Sequence, residues 1–234
     1  MANVSRYIPN TVTCFNLFSG CIACVMAFEG KYQLAFLFII ISAIFDFMDG
    51  LLARLLNAYS PMGKELDSLA DDISFGAAPS FIVFSLFKEV NYPDFLSGVS
   101  DYVPYIAFII AIFSALRLAK FNIDERQTSS FIGLPTPANT LFWSSLVVGA
   151  HPFLTSDSFN AVYLILLVLL FSYLLVAELP MFALKFKSLK WKGNEIRFVF
   201  LAGCIAFIAC LGVSGFAISI VWYLFLSLLT RKKA

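Results

Sequence analysis

The stretch DFMDGLLARLLNAYSPMGKELDSLADD, residues 46–72, places five aspartates, one glutamate, one lysine and one arginine between two apolar segments. LAFLFIIISAIF (34–45) precedes it, and ISFGAAPSFIVFSLF (73–87) follows it. Moving a carboxylate out of water costs free energy unless a proton, a cation or hydrogen bonds compensate it. A regular series of aspartates at the edge of apolar segments therefore indicates a chemical role for this stretch.

The composition is typical of an integral membrane protein. Of the 234 residues, 60% are hydrophobic, 13% are charged and 27 are phenylalanine. A soluble domain of this length has no use for so much apolar surface, whereas a helix that crosses a bilayer needs about 20 mostly apolar residues. The net charge of +1 argues against a nucleic-acid-binding protein.

Eight apolar segments predict an all-α bundle of about eight transmembrane helices in a single membrane domain. They cover residues 10–28, 32–58, 64–87, 103–121, 138–154, 160–180, 197–213 and 215–230. With the N-terminus inside, fourteen of the sixteen basic residues fall on one side, which leaves Lys31 and Lys88 on the other. The positive-inside rule then predicts a multi-pass protein of the cell (inner) membrane with both termini in the cytoplasm. The N-terminus lacks a cleavage signal, so we expect the first segment to be retained.

Two pairs of aspartates have helical spacing. Asp46 and Asp49 are three residues apart near the end of the second segment, and Asp67 and Asp71 are four apart at the start of the third. Residues at these spacings share a helix face. The breakers in NAYSPMG (57–63) indicate a tight turn, so we expect antiparallel neighbouring helices whose carboxylates face one another.

Four converging carboxylates repel one another, and either protonation or cations would relieve the repulsion. With no histidine or cysteine nearby, the oxygen ligands favour hard ions such as Mg²⁺, Mn²⁺ or Ca²⁺. Two divalent ions would neutralise the four charges, and paired metals are common in displacement at phosphorus. On spacing alone, an ion or proton pathway and simple anchoring of helix ends remain alternatives.

Small and cationic residues beside the aspartates suit a phosphate ligand. Gly50 and Ala53 follow Asp49 on nearly the same face and let a flat group approach the backbone, although small residues also let helices pack closely. Arg54 can offer a guanidinium to a phosphate, and Gly63 relieves the turn before the second pair.

The whole pattern resembles a known signature. The pattern reads Asp46-x2-Asp49-Gly50-x2-Ala53-Arg54-x8-Gly63-x3-Asp67-x3-Asp71, and it resembles the signature of the CDP-alcohol phosphotransferase family at all eight positions. Members of this family are membrane enzymes that move a phosphatidyl or similar group from a CDP-linked donor to an alcohol and release CMP. Further stretches resemble the phosphatidylserine synthase branch of this family, which uses CDP-diacylglycerol and L-serine. These stretches are IPNTVTCFNLFSG (8–20), LDSLADDISFGAAPS (66–80) and RLAKFN with FIGLPTPA (117–138). The last 90 residues resemble that branch mainly in the layout of their spans.

The resemblance implies roles for the matching residues. The implied ligands of two divalent cations are Asp46, Asp49, Asp67 and Asp71, of which Asp71 would also be the catalytic base. The residues implied to shape the CDP-lipid pocket are Gly50, Ala53, Arg54 and Gly63. The resemblance also implies a homodimer, with a catalytic core over residues 8–180 and an additional helix pair at 197–230.

Polar residues on the first segment are further candidates. Asn10, Thr13 and Asn16 follow one another at three-residue steps and share one helix face. They either line the CDP-lipid pocket, to which we assign Asn10 and Thr13, or form hydrogen bonds between helices.

The acceptor is expected to bind at the cytoplasmic end of the fourth segment. Arg117, Lys120 and Asn122 are candidates for binding serine, because arginine pairs bidentately with carboxylates; anchoring is the alternative. Glycerol 3-phosphate or inositol phosphate are alternative acceptors, since Arg126 adds a third cation for a phosphate. A transporter or cation channel is a third possibility, disfavoured because the acidic residues trace no path across the membrane.

Some residues depart from the branch or lie away from the site. Asp72 stands where an apolar residue is expected, about 100° around the helix from Asp71, and we expect a satisfied polar contact and not a fifth ligand. Lys120 replaces an expected arginine and lacks its planar fork. We expect His151 in a loop on the far side, Glu178 in an anchoring or interhelical contact, and the five cysteines as small buried apolar residues.

Overall fold

The computed structural model describes residues 7–124, 126, 131–184 and 190–230. Over these ranges the chain is all-α apart from one short strand pair, which confirms that the fold is all-α. The helices are α1 (Tyr7–Phe28), α2 (Tyr32–Leu55), α3 (Pro61–Asp71), α4 (Ala78–Phe87), α5 (Ile109–Ile123), α6 (Thr136–Leu154), α7 (Ala161–Val176), α8 (Glu195–Leu211) and α9 (Ser214–Leu229). The strands β1 (Phe131–Ile132) and β2 (Pro180–Met181) pair antiparallel.

Four helices are long and apolar enough to cross a membrane. They are Tyr7–Phe28, Tyr32–Leu55, Pro61–Phe87 and Val103–Ile123. The third joins α3 to α4 through a π-helical segment, Asp72–Ala77, and the fourth begins with a 3₁₀ turn before α5. Helices also occupy the other four predicted segments, of which α7 and α9 are apolar but shorter than 18 residues. Length and composition thus make the chain a multi-pass membrane protein.

Several predicted boundaries differ from the structure. α2 ends at Leu55 and not at residue 58, because the chain turns through Asn57 with a positive φ of 48°. α3 begins at Pro61, three residues earlier than expected, since the Ser60 side chain caps it by accepting a hydrogen bond from the Gly63 N–H at 2.9 Å. α7 ends at Val176 because the next residues run on into β2.

Three expectations about residues away from the site need correction or restriction. His151 lies in the last turn of α6 and not in a loop, with its Nε2 2.8 Å from Glu89 Oε2. The cysteines are free thiols, but Cys14, Cys21 and Cys210 are exposed and so face away from the core. Six of the basic residues behind the orientation prediction lie outside the described residues, namely Arg6, Lys185, Lys187, Arg231, Lys232 and Lys233.

The packing centres on α1, which lies along α2 and also contacts α3, the π-helical segment and α4. Two serines from these neighbours, Ser42 and Ser74, donate hydrogen bonds to the Asn16 carbonyl oxygen, at 3.1 and 3.2 Å. On the other side α6 packs against α4 and α9, and its Phe142 ring stacks on Phe171 of α7 at 3.7 Å. α1 is therefore the helix against which both aspartate-carrying helices, α2 and α3, pack.

Gly20 lets α1 approach the π-helical segment closely, and we predict that Gly20→Ala destabilises the protein. A Cβ at this position would lie 2.9 Å from Ser74 Cα, so the two helices would have to separate. Alanine normally stabilises a helix by up to about 1 kcal/mol relative to glycine, whereas overpacking costs about 1–3 kcal/mol. Thermal unfolding in detergent should show a lower midpoint for Gly20→Ala.

Gly98→Ala is the matched control, because a Cβ there meets no atom within 4 Å. An unchanged or raised midpoint for Gly20→Ala would show that the close approach of α1 to Ser74 is unimportant for stability.

Candidate active site

The aspartates near the turn between α2 and α3 converge as the spacing predicted. One carboxylate oxygen from each of Asp46, Asp49 and Asp67 lies within 4.8 Å of the others. Asp71 lies one turn further along α3, where its carboxyl group interacts with that of Asp46 and accepts a hydrogen bond from Asn16 Nδ2 at 3.2 Å. The structure therefore brings all four predicted metal ligands together, with three of them in the tightest set.

A cavity lies beside these carboxylates. α1 packs against both α2 and α3, and the aspartate side chains of those two helices meet near their connecting turn. The cavity has a volume of about 530 Å³ and is lined by residues of α1, α2, α3 and the connecting turn. α1 therefore forms one wall of the space beside the aspartates.

The carboxylate oxygens fit a bound cation. Asp49 is only 6% exposed, and its Oδ2 has no hydrogen-bond partner; the same holds for the buried Oδ1 of Asp67. Among the described residues, no lysine or arginine forms an ion pair with any of the four aspartates. Buried carboxylate oxygens without partners are costly, and an oxygen-liganded divalent cation would satisfy them.

Most residues predicted for the CDP-lipid pocket line this cavity. The lining residues include Asn10 and Thr13 of α1, Gly50 and Ala53 of α2, and Gly63 of α3. The exception is Arg54, whose exposed side chain lies beside the cavity and donates from Nε to the Gly50 carbonyl at 2.9 Å.

The two glycines of the signature, Gly50 and Gly63, have different structural roles. A Cβ at Gly50 would have only the Arg54 side chain near it, at 3.9 Å, so its absence leaves space in the cavity. A Cβ at Gly63 would lie 2.9 Å from Asn10 Oδ1 and 3.0 Å from Ser60 Oγ, so glycine there allows α3 to approach α1. Gly63 shapes the cavity indirectly, through helix packing.

The three candidates for serine binding diverge in the structure. Arg117 is buried next to α6, where its Nη1 donates to Thr136 Oγ1 at 3.4 Å, and it also interacts with the Asp71 carboxylate. Lys120 instead pairs with Glu178, the contact expected of that glutamate. Asn122 Nδ2 donates to Ser68 Oγ at 2.8 Å. Of these three candidates, Arg117 is the one that interacts electrostatically with an aspartate of the set.

Glu178 lies just beyond the end of α7 and joins this part of the chain to α5. Its carboxylate binds Lys120 and lies 3.5 Å from Arg126. These two cations lower the pKa of Glu178, the hydrogen bond from Lys120 being the main cause. The exposure of this network makes its contribution to stability small.

Several residues near the site have roles that were not predicted from the sequence. Asn16 was recognised only as part of a polar face, although its amide contacts Asp71 and its carbonyl joins two further helices. Tyr59 and Lys64 also line the cavity, although neither was predicted to do so. Their positions close to Gly63 in the sequence could have indicated this. Asp72 is not the satisfied contact expected, because its buried Oδ1 has no hydrogen-bond partner among the described residues.

Comparison with known proteins identifies the family. Residues 6–184 match the model of the CDP-alcohol phosphatidyltransferase family, and the chain therefore belongs to that family of membrane phosphatidyltransferases. This confirms the resemblance carried by the eight signature residues.

Among individual relatives, the chain is 33% identical over 178 residues to CDP-diacylglycerol–serine O-phosphatidyltransferase of Bacillus subtilis (strain 168), covering 74% of this chain and 89% of the relative. The protein of the same name from Methanocaldococcus jannaschii is 35% identical, over 70% of this chain and 69% of its own length. The one from Helicobacter pylori (strain 26695) is 38% identical, over 56% of this chain and about half (52%) of its own length.

We predict that Asp49→Asn weakens divalent-metal binding. The substitution removes a charge from the set of three carboxylates and leaves the side chain's size unchanged. Loss of even an outer-shell partner reduces metal affinity by about 10-fold to 100-fold, so a direct ligand should cost at least about tenfold. Titration of the purified protein with Mn²⁺, followed by electron paramagnetic resonance of the free ion, measures the affinity.

Glu65→Gln serves as the control, because Glu65 is an exposed carboxylate on the same helix as Asp67. Equal losses of affinity in both variants, or none in Asp49→Asn, would contradict a metal site at the aspartates.

Proposed function

We propose that this protein transfers the phosphatidyl group of CDP-diacylglycerol to the hydroxyl of L-serine, giving phosphatidylserine and CMP. The observation that carries the proposal is the set of three carboxylates within 4.8 Å, all of them residues of the family signature, two of which, Asp49 and Asp67, line a cavity of about 530 Å³. The printed names of the relatives support serine as the acceptor.

In this proposal the donor's diphosphate and cytidine occupy the cavity. Gly50 and Ala53 contribute small apolar surfaces to the lining of the cavity, and Asn10 and Thr13 contribute polar groups. Lys64 lines the same cavity and offers a cation for the diphosphate. The acyl chains would remain in the bilayer beside the apolar helices, which accounts for a site at the end of membrane-spanning segments.

The four aspartates would hold two divalent cations, with Mg²⁺ or Mn²⁺ the best fit to oxygen ligands and Ca²⁺ an alternative. When bound, such ions withdraw charge from the diphosphate oxygens and stabilise the departing CMP. The protein's own contribution is to fix the carboxylates, and the packing of α1 against both α2 and α3 supports this role.

Asp71 is the proposed general base. It lies outside the tightest set of three carboxylates, and its Oδ1 accepts a hydrogen bond from Asn16, which orients the carboxyl group. A carboxylate within hydrogen-bond reach can accept the serine hydroxyl proton as that oxygen attacks phosphorus. Asn16 is fully buried and would hold the base in position.

Arg117 is the proposed partner of the serine carboxylate. The guanidinium is 6% exposed, interacts with Asp71, and has an Nε without a hydrogen-bond partner. A buried guanidinium with an unused hydrogen-bond donor is suited to binding a carboxylate ligand. Because Lys120 and Asn122 already contact Glu178 and Ser68, they would act at most as secondary contacts.

The proposed arrangement in the membrane follows the charge distribution. We infer eight spans, both termini and the active site on the cytoplasmic side of the cell (inner) membrane, and a homodimer as the family resemblance implies. Serine and CMP are water-soluble and would enter and leave on that side. The excess of basic residues on the same side supports this orientation.

The proposal predicts CMP release from CDP-diacylglycerol that requires both serine and a divalent cation. Purified protein in mixed micelles should form CMP and phosphatidylserine with Mg²⁺ or Mn²⁺, and chelation should abolish the reaction. Asp71→Asn should lower kcat by at least about 100-fold, the lower range of general-base contributions. Parallel assays should use glycerol 3-phosphate and inositol phosphate as acceptors.

The matched control for Asp71→Asn is Glu65→Gln on the same helix. CMP release with a phosphorylated alcohol but not with serine would replace the proposed acceptor, and no CMP release with any alcohol would refute the enzymatic proposal. Full activity of Asp71→Asn would refute its role as base.

We predict that Arg117→Ala raises the KM for serine by about 10-fold to 100-fold, the range expected when a charged hydrogen bond is lost. The KM for CDP-diacylglycerol should change by less than about twofold. Arg126→Ala is the control, since that exposed guanidinium is held by Asp124 and Glu178. An unchanged serine KM in a folded Arg117→Ala protein would contradict the assignment.

A further inference from the structure

The last two helices form a hairpin that the family match does not include. The match ends at residue 184, whereas α8 and α9 begin at Glu195 and Ser214. α9 packs against α6, and α8 packs mainly against α9. The family match therefore assigns no role to this hairpin.

The hairpin contacts the last residues covered by the family match through hydrogen bonds and aromatic packing. Tyr223 of α9 is 7% exposed, and its hydroxyl donates to the Phe182 carbonyl at 2.7 Å. Arg197 of α8 donates from Nε to the Ala183 carbonyl at 3.0 Å. The Phe182 ring also packs between two aromatic rings of the hairpin, 4.8 Å from Tyr223 and 5.8 Å from Phe200. Both helices thus fix residues 180–183, which we call the β2 segment.

The β2 segment leads back to the proposed acceptor site. Its strand pairs with β1, in which Phe131 lies opposite Met181. The Phe131 ring contacts that of Phe121 at 6.2 Å, and the Arg117 guanidinium lies over the Phe121 ring at 5.1 Å. A continuous series of contacts therefore joins the hairpin to the guanidinium.

Tyr223 also interacts with Arg117 electrostatically. Its hydroxyl donates a hydrogen bond to the Phe182 carbonyl, which holds the ring in one orientation. The same side chain therefore fixes the β2 segment and contributes to the electrostatic environment of Arg117.

We propose that the α8–α9 hairpin is a clamp that positions Arg117 for the acceptor amino acid, with Tyr223 and Arg197 as its positioning residues. This inference rests on the proposed function, because it concerns the serine site. A site held in its bound geometry binds its ligand more tightly, since less order is lost on binding. The clamp affects acceptor affinity and not the chemistry at the aspartates, which lie on other helices.

The test compares Tyr223→Phe with the wild type in the full-length protein. The variant keeps the ring and loses the hydrogen bond to Phe182, so the serine KM should rise about threefold to tenfold, the range for one hydrogen bond. We expect kcat and the CDP-diacylglycerol KM to stay within about twofold of the wild type. Arg197→Lys should shift the serine KM in the same direction, because lysine cannot reproduce the guanidinium's simultaneous hydrogen bonds to Ala183 and Asn194.

Tyr173→Phe is the matched control, because this tyrosine on α7 is 62% exposed. Thermal unfolding separates positioning from loss of structure, since a general loss would lower kcat and the midpoint together. Unchanged serine KM values in both clamp variants, or equal changes for both substrates, would overturn the clamp. A wild type that releases CMP only with another alcohol, or with none, would overturn the proposed function and the clamp with it.

Discussion

Electrostatic repulsion among carboxylates at the end of an apolar bundle is the constraint on which this structure depends. Asp46, Asp49 and Asp67 hold oxygens within 4.8 Å of one another, and some of those oxygens are buried without a partner. Like charges so close, with little water, are stable only with compensation, and no ion pair in the described part of the chain supplies it. A chain that needed only a stable bundle would not carry them, and this supports the proposed metal site.

The carboxylates are held in place by the packing of α1 against α2 and α3. α1 contacts both helices, and the close approaches at Gly20 and Gly63 bring it near the π-helical segment and the start of α3. Asn16 lies at the centre of this arrangement, since its carbonyl accepts from two serines and its amide donates to Asp71. The same packing that holds the helices also fixes the carboxylates and leaves the cavity between them.

The proposed donor and acceptor sites lie on different sides of the aspartates. The cavity is bounded by α1, α2 and α3, while Arg117 projects from α5 toward α6 and Asp71. Such a division suits a displacement in which the alcohol approaches phosphorus from the side opposite the leaving CMP. It also assigns a separate structural support to each side, α1 for the donor and the C-terminal hairpin for the acceptor.

The helical segments, the membrane character and the pairing of the aspartates could be predicted from the sequence, because hydrophobic runs and i,i+3 and i,i+4 spacings are local properties of a helix. Eight residues in one short stretch also indicated the family. Three relations became visible only in the folded chain: α1 packs against both α2 and α3, Asn16 contacts Asp71, and Arg117 is the serine candidate that interacts with an aspartate of the set. These relations join residues far apart in the chain, and they depend on how helices pack, which no local pattern encodes.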